Sequence, residues 1–205
     1  MHAAVERGAD QLIILGAGLD TFAYRTSLRH FVRIVEVDHP ATQAWKRTLL
    51  AAAGIAVPRN LSFAAVDLGT VPLRDALSAA GVNLSRPLFI SWLGVVYYLP
   101  LESVETTLRS IGSSAEGSEL VFDYLVPPHT LTKAERGELL SGSDSVAAAG
   151  EPWVTFFEPD ELIRKLHRSG FTNVENLNSQ ALSDRFDMSL LAEYRQGGVM
   201  HAKVG

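Results

Sequence analysis

A short apolar run that passes directly into a glycine turn is the strongest constraint on how this chain folds. Residues 11–25 have the sequence QLIILGAGLDTFAYR. The run Leu12–Leu15 is typical of a strand that is buried on both faces of a parallel sheet. Gly16-x-Gly18 permits a sharp turn and close approach of a ligand, and Asp20-Thr21 can start a helix. This arrangement is that of a nucleotide-cofactor pocket, although a strand followed by GxG also occurs as an ordinary tight turn.

The apolar pattern of the rest of the chain alternates between strand and helix periods. Strands are predicted at 12–15, 31–37, 61–66, 87–93, 119–125, 171–177 and 199–204. Helices are predicted at 2–9, 20–28, 40–53, 72–80, 101–113, 133–140 and 159–169. A Ser/Gly/Ala-rich loop is predicted to follow residue 140, and few residues between the last two strands are left for a helical crossover. We therefore predict one α/β domain over 1–205, with a doubly wound, mostly parallel sheet and an antiparallel C-terminal hairpin.

Composition excludes several classes of function. The 205 residues are 47% hydrophobic and 20% charged, as in globular proteins, and the net charge is −5 with scattered basic residues. Such a chain has no electrostatic footprint for nucleic acid, and no apolar run approaches the roughly 20 residues that cross a membrane. Cysteine is absent, and the six histidines show no ligand spacing, so no metal site is predicted. We expect a cytoplasmic protein, because the N-terminus lacks the apolar core of a secretory signal. The oligomeric state is left open.

Two aspartates follow the next two predicted strands. Asp38 lies about 20 residues past the glycines, the position from which a carboxylate reaches ribose hydroxyls. The alternative for Asp38 is a helix N-cap before Pro40. Asp67 is in AAVDLG, where its carboxylate can accept from an adenine amino group while the Leu68 N–H donates to a ring nitrogen. The alternative for Asp67 is an aspartate that opens a turn. Together with the glycine turn, the two positions favour a nucleoside ligand.

Two cofactors fit a pocket of this kind. A nicotinamide dinucleotide prefers GxGxxG with its pyrophosphate at the helix N-terminus, but Thr21 occupies the third glycine position. Asp20 would also place a negative charge beside that pyrophosphate. S-adenosyl-L-methionine carries a sulfonium and an ammonium cation and no phosphate, so acidic residues around the turn suit it better. The residues therefore favour S-adenosyl-L-methionine.

Six motifs connect the chain to a known family: LGAGLDTFAYR, VEVDHPATQAWK, FAAVDL, FISWLGVVYYLP, FDYLVPP and EPWVTFFEPDEL. From about Ala9 to Arg185 the sequence resembles the leucine carboxyl methyltransferase-like branch of class I methyltransferases, which includes polyketide O-methyltransferases. The resemblance implies a Rossmann-like fold and methyl transfer, usually to oxygen. Carried across by position, the cofactor contacts of the family fall on Gly16, Ala17, Gly18, Asp38, Asp67 and Leu68. We add two further cofactor candidates, His39 beside Asp38 and Trp92 in the fourth-strand motif.

Two departures from the family pattern bear on activity. The family usually has a glutamate before the glycine of its SWEG-like motif, whereas this chain has Leu93 in Ser91-Trp92-Leu93-Gly94. Family members also carry an N-terminal segment whose arginine pairs with the carboxylate of the cofactor, and we expect this chain to start after it. Loss of a charge-assisted pair should weaken cofactor binding.

Candidates for the acceptor side follow or end central strands. Tyr97, Tyr98 and Asp123 are predicted catalytic residues, and Tyr124 is a further candidate on the acceptor side. The alternative for the tyrosines is packing, and the alternatives for Asp123 are a contact with the amino group of S-adenosyl-L-methionine and a structural hydrogen bond. On the helix after Asp38, Trp45 is predicted to pack inward and Lys46 to be solvated.

The leading functional hypothesis is S-adenosyl-L-methionine-dependent O-methylation of a small-molecule carboxylate or hydroxyl. A first alternative is a cofactor-binding remnant without turnover, and a second is a nicotinamide-dependent oxidoreductase. The partner expected from the leading hypothesis is a small-molecule methyl acceptor, whose identity the sequence does not reveal.

Overall fold

The structure is a computed structural model that describes residues 1–30, 32–68, 71–148, 150–187 and 195–205. Among these residues, no helix combines the length and the apolar character that crossing a bilayer requires.

Within the described residues, seven strands form one sheet. They are β1 (Gln11–Leu15), β2 (Arg33–Asp38), β3 (Leu61–Ala65), β4 (Leu88–Trp92), β5 (Glu119–Leu125), β6 (Phe171–Asn178) and β7 (Gly197–Val204). Their order is β3-β2-β1-β4-β5-β7-β6. The first five strands are parallel, and β7 is antiparallel to both β5 and β6. The predicted doubly wound, mostly parallel sheet with an antiparallel C-terminal pair is confirmed.

The described α-helices are α1 (His2–Glu6), α2 (Phe22–Arg25), α3 (Pro40–Ala52), α4 (Leu73–Ala79), α5 (Leu101–Gly112), α6 (Lys133–Ala148), α7 (Pro159–Arg168) and α8 (Ser179–Phe186). Single 3₁₀ turns cover Ser27–His30, Val96–Tyr98 and Pro128–Thr130.

Two predictions about these helices are wrong. The loop predicted after residue 140 is the second half of α6, and α8 lies between the two C-terminal strands. Leu139 is the buried residue of α6, so the polar second half of this helix has no apolar period from which a helix could be predicted. The sequence feature that indicates α8 is its N-cap residue, because the Asn178 side chain accepts the Ala181 N–H at 2.9 Å.

Both faces of the sheet are covered, which explains the continuous apolar run in β1. Ile13 and Leu15 belong to a core cluster with the inner faces of α4, α5 and α7. Leu12 and Ile14 point the other way, into a second cluster with Ala4 of α1 and Ala23 of α2. Since successive side chains of a strand alternate between faces, a strand between two layers must be apolar throughout.

The winding of the sheet reverses at β1. This strand pairs with β2 on one side and with β4 on the other, so the chain crosses over in opposite directions after β1 and after β3. Such a reversal leaves a crevice at the carboxyl ends of the strands, where ligands of doubly wound folds bind.

Candidate functional site

A cleft of about 460 Å³ opens at this reversal, beyond the carboxyl ends of β1, β2, β3 and β4. Small-molecule sites occupy roughly 300–1,000 Å³, so the cleft can hold a nucleoside. Its described lining comprises Gly16, Gly18, Asp38, His39, Thr42, Val66, Asp67, Leu68, Gly94, Val95, Tyr98, Leu99, Gly150, Glu151, Pro152 and Val154.

The glycine turn after β1 forms one wall of the cleft. Gly16 and Gly18 have φ angles of +63° and +41°, in the left-handed region that glycine adopts without strain. The N–H groups of Gly16 and Ala17 donate to the Val37 carbonyl at 2.8 and 3.2 Å, which fastens the turn to β2. A Cβ at Gly16 would lie 2.3 Å from Val95 Cγ2, so the turn also packs against the chain after β4. Ala17 is buried beneath the turn, and its side chain does not line the cleft.

Asp38 lies at the end of β2 and faces the glycine turn. One carboxylate oxygen accepts the Gly18 N–H, and the other accepts the His39 N–H at 2.6 Å. A carboxylate offers about four acceptor positions, so these two hydrogen bonds leave Asp38 able to accept from ribose hydroxyls as well. The alternative role as N-cap of α3 belongs instead to His39, whose Nδ1 accepts the Ala41 N–H at 3.3 Å.

The end of β3 completes the rim of the cleft. Asp67 and Leu68 both line it, directly after β3. The Val66 N–H donates to the Asp38 carbonyl at 2.8 Å and so extends the β2–β3 pairing up to the rim. The structure thus brings six predicted cofactor residues together from three strand ends: Gly16, Gly18, Asp38, His39, Asp67 and Leu68.

The opposite wall is aromatic. Tyr98, in the 3₁₀ turn after β4, lines the cleft. Tyr97 lies beside it, with ring centroids 4.9 Å apart, and packs edge-on against Trp153 at 5.6 Å. Of the two predicted tyrosines, Tyr98 is in the described lining of the cleft, and a catalytic role for either stays a prediction.

The chain between α6 and α7 is bound to this aromatic wall. The Val154 N–H donates to the Tyr97 carbonyl at 2.8 Å, and the Thr155 hydroxyl donates to the Leu99 carbonyl at 2.6 Å. These bonds hold residues 150–154 at the mouth of the cleft, where Glu151 adds a carboxylate that the sequence analysis did not identify.

Trp92, a predicted cofactor contact, lies outside the cleft. It is the last residue of β4, its exposure is 0%, and its ring centroid is 6.1 Å from that of Phe122. The Trp92 side chain packs the core and is not in the described lining of the cleft, so a contact between Trp92 and the cofactor stays a prediction. Leu93 also faces away from the cleft, into a groove on the other side of the sheet whose lining includes Phe89, Val121 and the charged Glu119.

Asp123, a predicted catalytic residue, is not part of the described lining either. It lies on β5, and its Oδ1 accepts the Gly94 N–H at 2.8 Å. Burial raises the pKa of the Asp123 carboxyl above its ordinary value, and the bond from Gly94 partly offsets this effect.

A buried ion pair behind the rim was missed by the sequence analysis. Lys46 Nζ donates to Glu36 Oε2 at 2.7 Å, with side-chain exposures of 5% and 1%. Burial raises the pKa of Glu36, while the hydrogen bond from Lys46 opposes that rise. The predictions for α3 are therefore wrong: Lys46 is buried, and Trp45 is 54% exposed. The available signal was a glutamate in the middle of an apolar strand followed by a lysine on the next helix.

The charge of the cleft is negative. Its described lining includes the carboxylates of Asp38, Asp67 and Glu151, and neither lysine nor arginine. Such a lining favours a cationic or neutral ligand and disfavours phosphate groups.

Comparison with known proteins assigns the chain to a family. A model described as leucine carboxyl methyltransferase matches residues 1–112, more than half of the chain. The chain belongs to the leucine carboxyl methyltransferase family. This membership confirms the resemblance carried by the motifs.

Relatives of this leucine carboxyl methyltransferase family member are longer than the chain. The Bacillus subtilis protein YktD, a proposed S-adenosyl-L-methionine-dependent methyltransferase, is 34% identical over 91% of this chain and 62% of its own length. A Streptomyces coelicolor protein of the same proposed class is 30% identical over 96% of this chain and 67% of its own length. The chain thus spans about two thirds of the length of these curated relatives.

Solved structures share the fold at low sequence identity. The crystal structure of magnesium protoporphyrin IX methyltransferase from Synechocystis, with bound SAH, has a TM-score of 0.58 and is 11% identical. The match covers 100% of this chain and 79% of that one, and it supports the Rossmann-like methyltransferase fold alone.

Proposed function

We propose that the cleft binds S-adenosyl-L-methionine and that the chain is a small-molecule O-methyltransferase. One observation carries the proposal: the glycine turn, Asp38 and Asp67-Leu68 converge from three strand ends on a single cleft. Membership of a methyltransferase family and the names of the relatives support it.

The described donor set fits this cofactor. The Asp38 carboxylate, which accepts the Gly18 N–H, would also accept hydrogen bonds from the ribose hydroxyls. Asp67 and the Leu68 N–H would meet the adenine, and Gly16 and Gly18 let the backbone approach the ligand without side chains in between. The negative lining suits a sulfonium and an ammonium cation and is unfavourable for the pyrophosphate of a dinucleotide.

The acceptor is a hydroxyl compound in this proposal. A carboxylate acceptor held by the wall from Tyr98 to Val154 would meet the Glu151 carboxylate, with neither lysine nor arginine in the described lining. A neutral alcohol or phenol avoids that repulsion, and Tyr98 presents an aromatic face and a hydroxyl to orient it. Tyr97 would hold the Tyr98 ring in place through the contact between the two rings.

The contribution of the chain is alignment of the acceptor oxygen with the cofactor. When bound, the cofactor supplies an electrophilic methyl group that passes from sulfur to the acceptor oxygen, and the hydroxyl proton is released to solvent. The rim holds the nucleoside while the wall from Tyr98 to Val154 holds the acceptor in line with it.

Titration calorimetry with S-adenosylhomocysteine tests the cofactor. We expect Asp38→Ala to weaken binding about tenfold or more, because a charge-assisted hydrogen bond to ribose is lost. Asp75→Ala is the matched control, since this carboxylate is exposed in the first turn of α4, away from the cleft. Absence of binding to the unaltered chain would overturn the proposal.

Transfer of a labelled methyl group to a panel of phenols, alcohols and carboxylic acids tests the reaction. We expect methyl ethers. Esters formed in preference to ethers would contradict the acceptor class. Binding without transfer to any acceptor would indicate a cofactor-binding chain without turnover.

A further inference from the structure

The carboxylate of Asp123 contacts the turn that follows β4. In the parallel β4–β5 pair Trp92 lies opposite Phe122, so Asp123 is alongside the first residues beyond β4. Its Oδ1 accepts the Gly94 N–H at 2.8 Å. Gly94 has a φ of +73° and is exposed in the lining of the cleft.

Packing of Val95 connects the Gly94 turn to the glycine turn after β1. Val95, the residue after Gly94, places Cγ2 2.3 Å from where a Cβ of Gly16 would lie. Gly16, Gly94 and Val95 all line the cleft, whereas Asp123 is not in its described lining. A ligand in the cleft therefore meets the turn that Asp123 holds, and not the carboxylate itself.

We propose that Asp123 is a positioning residue, whose carboxylate fixes the Gly94 turn against the glycine turn and thereby sets the width of the cofactor cleft. This inference rests on the proposed function and assigns Asp123 a role other than that of a general base. Burial raises the pKa of the Asp123 carboxyl, a property that a base would share, so the two roles must be separated by substitution.

Asp123→Asn and Asp123→Leu separate them. Asparagine keeps an oxygen that can accept the Gly94 N–H but cannot take up a proton, whereas leucine has no acceptor at a similar size. For a positioning residue, Asp123→Asn keeps the dissociation constant of S-adenosylhomocysteine within about threefold and keeps most of kcat. Asp123→Leu weakens binding about tenfold, since the bond to Gly94 is lost. Asp75→Leu, at an exposed carboxylate of α4, is the matched control.

Amide hydrogen exchange at Gly94 gives a second readout that needs no ligand. We expect this N–H to be protected in the unaltered chain and in Asp123→Asn, and to exchange faster in Asp123→Leu. Should the leucine variant fail to fold, protection of the Gly94 N–H in the unaltered chain still tests the contact.

Three results would overturn the positioning role. The first is a loss of about a hundredfold or more in kcat with unchanged binding in Asp123→Asn, which indicates a base. The second is unaltered binding and turnover in Asp123→Leu. The third is an unprotected Gly94 N–H in the unaltered chain. Failure of the unaltered chain to bind S-adenosylhomocysteine would instead overturn the proposed function, while Gly94 exchange would still report on Asp123.

Discussion

At the residue scale, Gly16 has no room for a side chain, because the Val95 methyl group occupies the space beside its Cα. Its positive φ adds a second constraint. We expect Gly16→Ala to destabilise the fold by about 2–4 kcal/mol, the sum of a left-handed alanine and an overpacked contact. When Val95→Ala is already present, Gly16→Ala should lower the free energy of unfolding, measured with urea, by at least about 1 kcal/mol less than it does in the parent chain. An equal loss in both backgrounds would contradict the steric contact.

At the scale of elements, the Glu36–Lys46 pair joins β2 to α3 and so fixes the helix that begins beside Asp38. Lys46→Met would leave a buried carboxylate without its cation. We expect a loss of about 3–5 kcal/mol of unfolding free energy, most of it recovered when Glu36→Leu is added. Lys133→Met, at an exposed position of α6, is the control. A double variant as unstable as Lys46→Met alone would show that the pair itself is not the cause.

A second cluster joins α1 to the antiparallel end of the sheet. Glu119 of β5 is 3% exposed and meets Arg7 Nη2 at 2.6 Å, His201 Nε2 at 2.7 Å and Lys203 Nζ at 3.7 Å. Burial alone would raise the pKa of Glu119, but hydrogen bonds from Arg7 and His201 outweigh it and hold the pKa below the ordinary 4.5.

This cluster predicts a dependence of stability on pH. Since the folded pKa of Glu119 is depressed, its contribution is complete above pH 4.5 and is lost as the pH falls through the folded value. We expect Glu119→Gln to cost about 2 kcal/mol near neutral pH, and less as the pH drops below 4.5. Urea unfolding across this range is the measurement, with the exposed Glu116→Gln as control. A constant difference between variant and parent at all pH values would refute the assignment.

At the scale of the whole molecule, a ligand that bridges the ends of β1, β2 and β3 stabilises the folded state. We expect S-adenosylhomocysteine, at a hundredfold excess over its dissociation constant, to add about 2.7 kcal/mol to the free energy of unfolding, which corresponds to a rise in Tm of about 5–10 °C for a chain of this size. We expect no rise with NADH, because its phosphates would meet a lining with the carboxylates of Asp38, Asp67 and Glu151 and, among its described residues, neither lysine nor arginine. Thermal unfolding followed by circular dichroism measures both, and an equal rise with NADH would contradict the electrostatic argument.

The outline of the fold and half of the site follow from local sequence. Apolar runs predicted the strands, because burial on two faces requires apolar side chains in succession. The glycine turn, Asp38 and Asp67 were identified because strand ends of a parallel sheet share one edge, so position along the chain is enough to bring them together. The alternative for Asp38, a helix cap, was decided only by the contact of His39 with Ala41.

What only the tertiary structure decided concerns the direction and surroundings of side chains. Trp92 and Gly94 are two residues apart, yet one is fully buried and the other lines the cleft, because β4 ends between them. Asp123 meets Gly94 because its strand, β5, pairs with β4. Lys46 is buried because the side of α3 that carries it faces Glu36. Local sequence determines which segments pair and where they end, since those signals lie along the chain. Which groups meet across a cleft depends on packing between distant segments, and that information is absent from any single stretch.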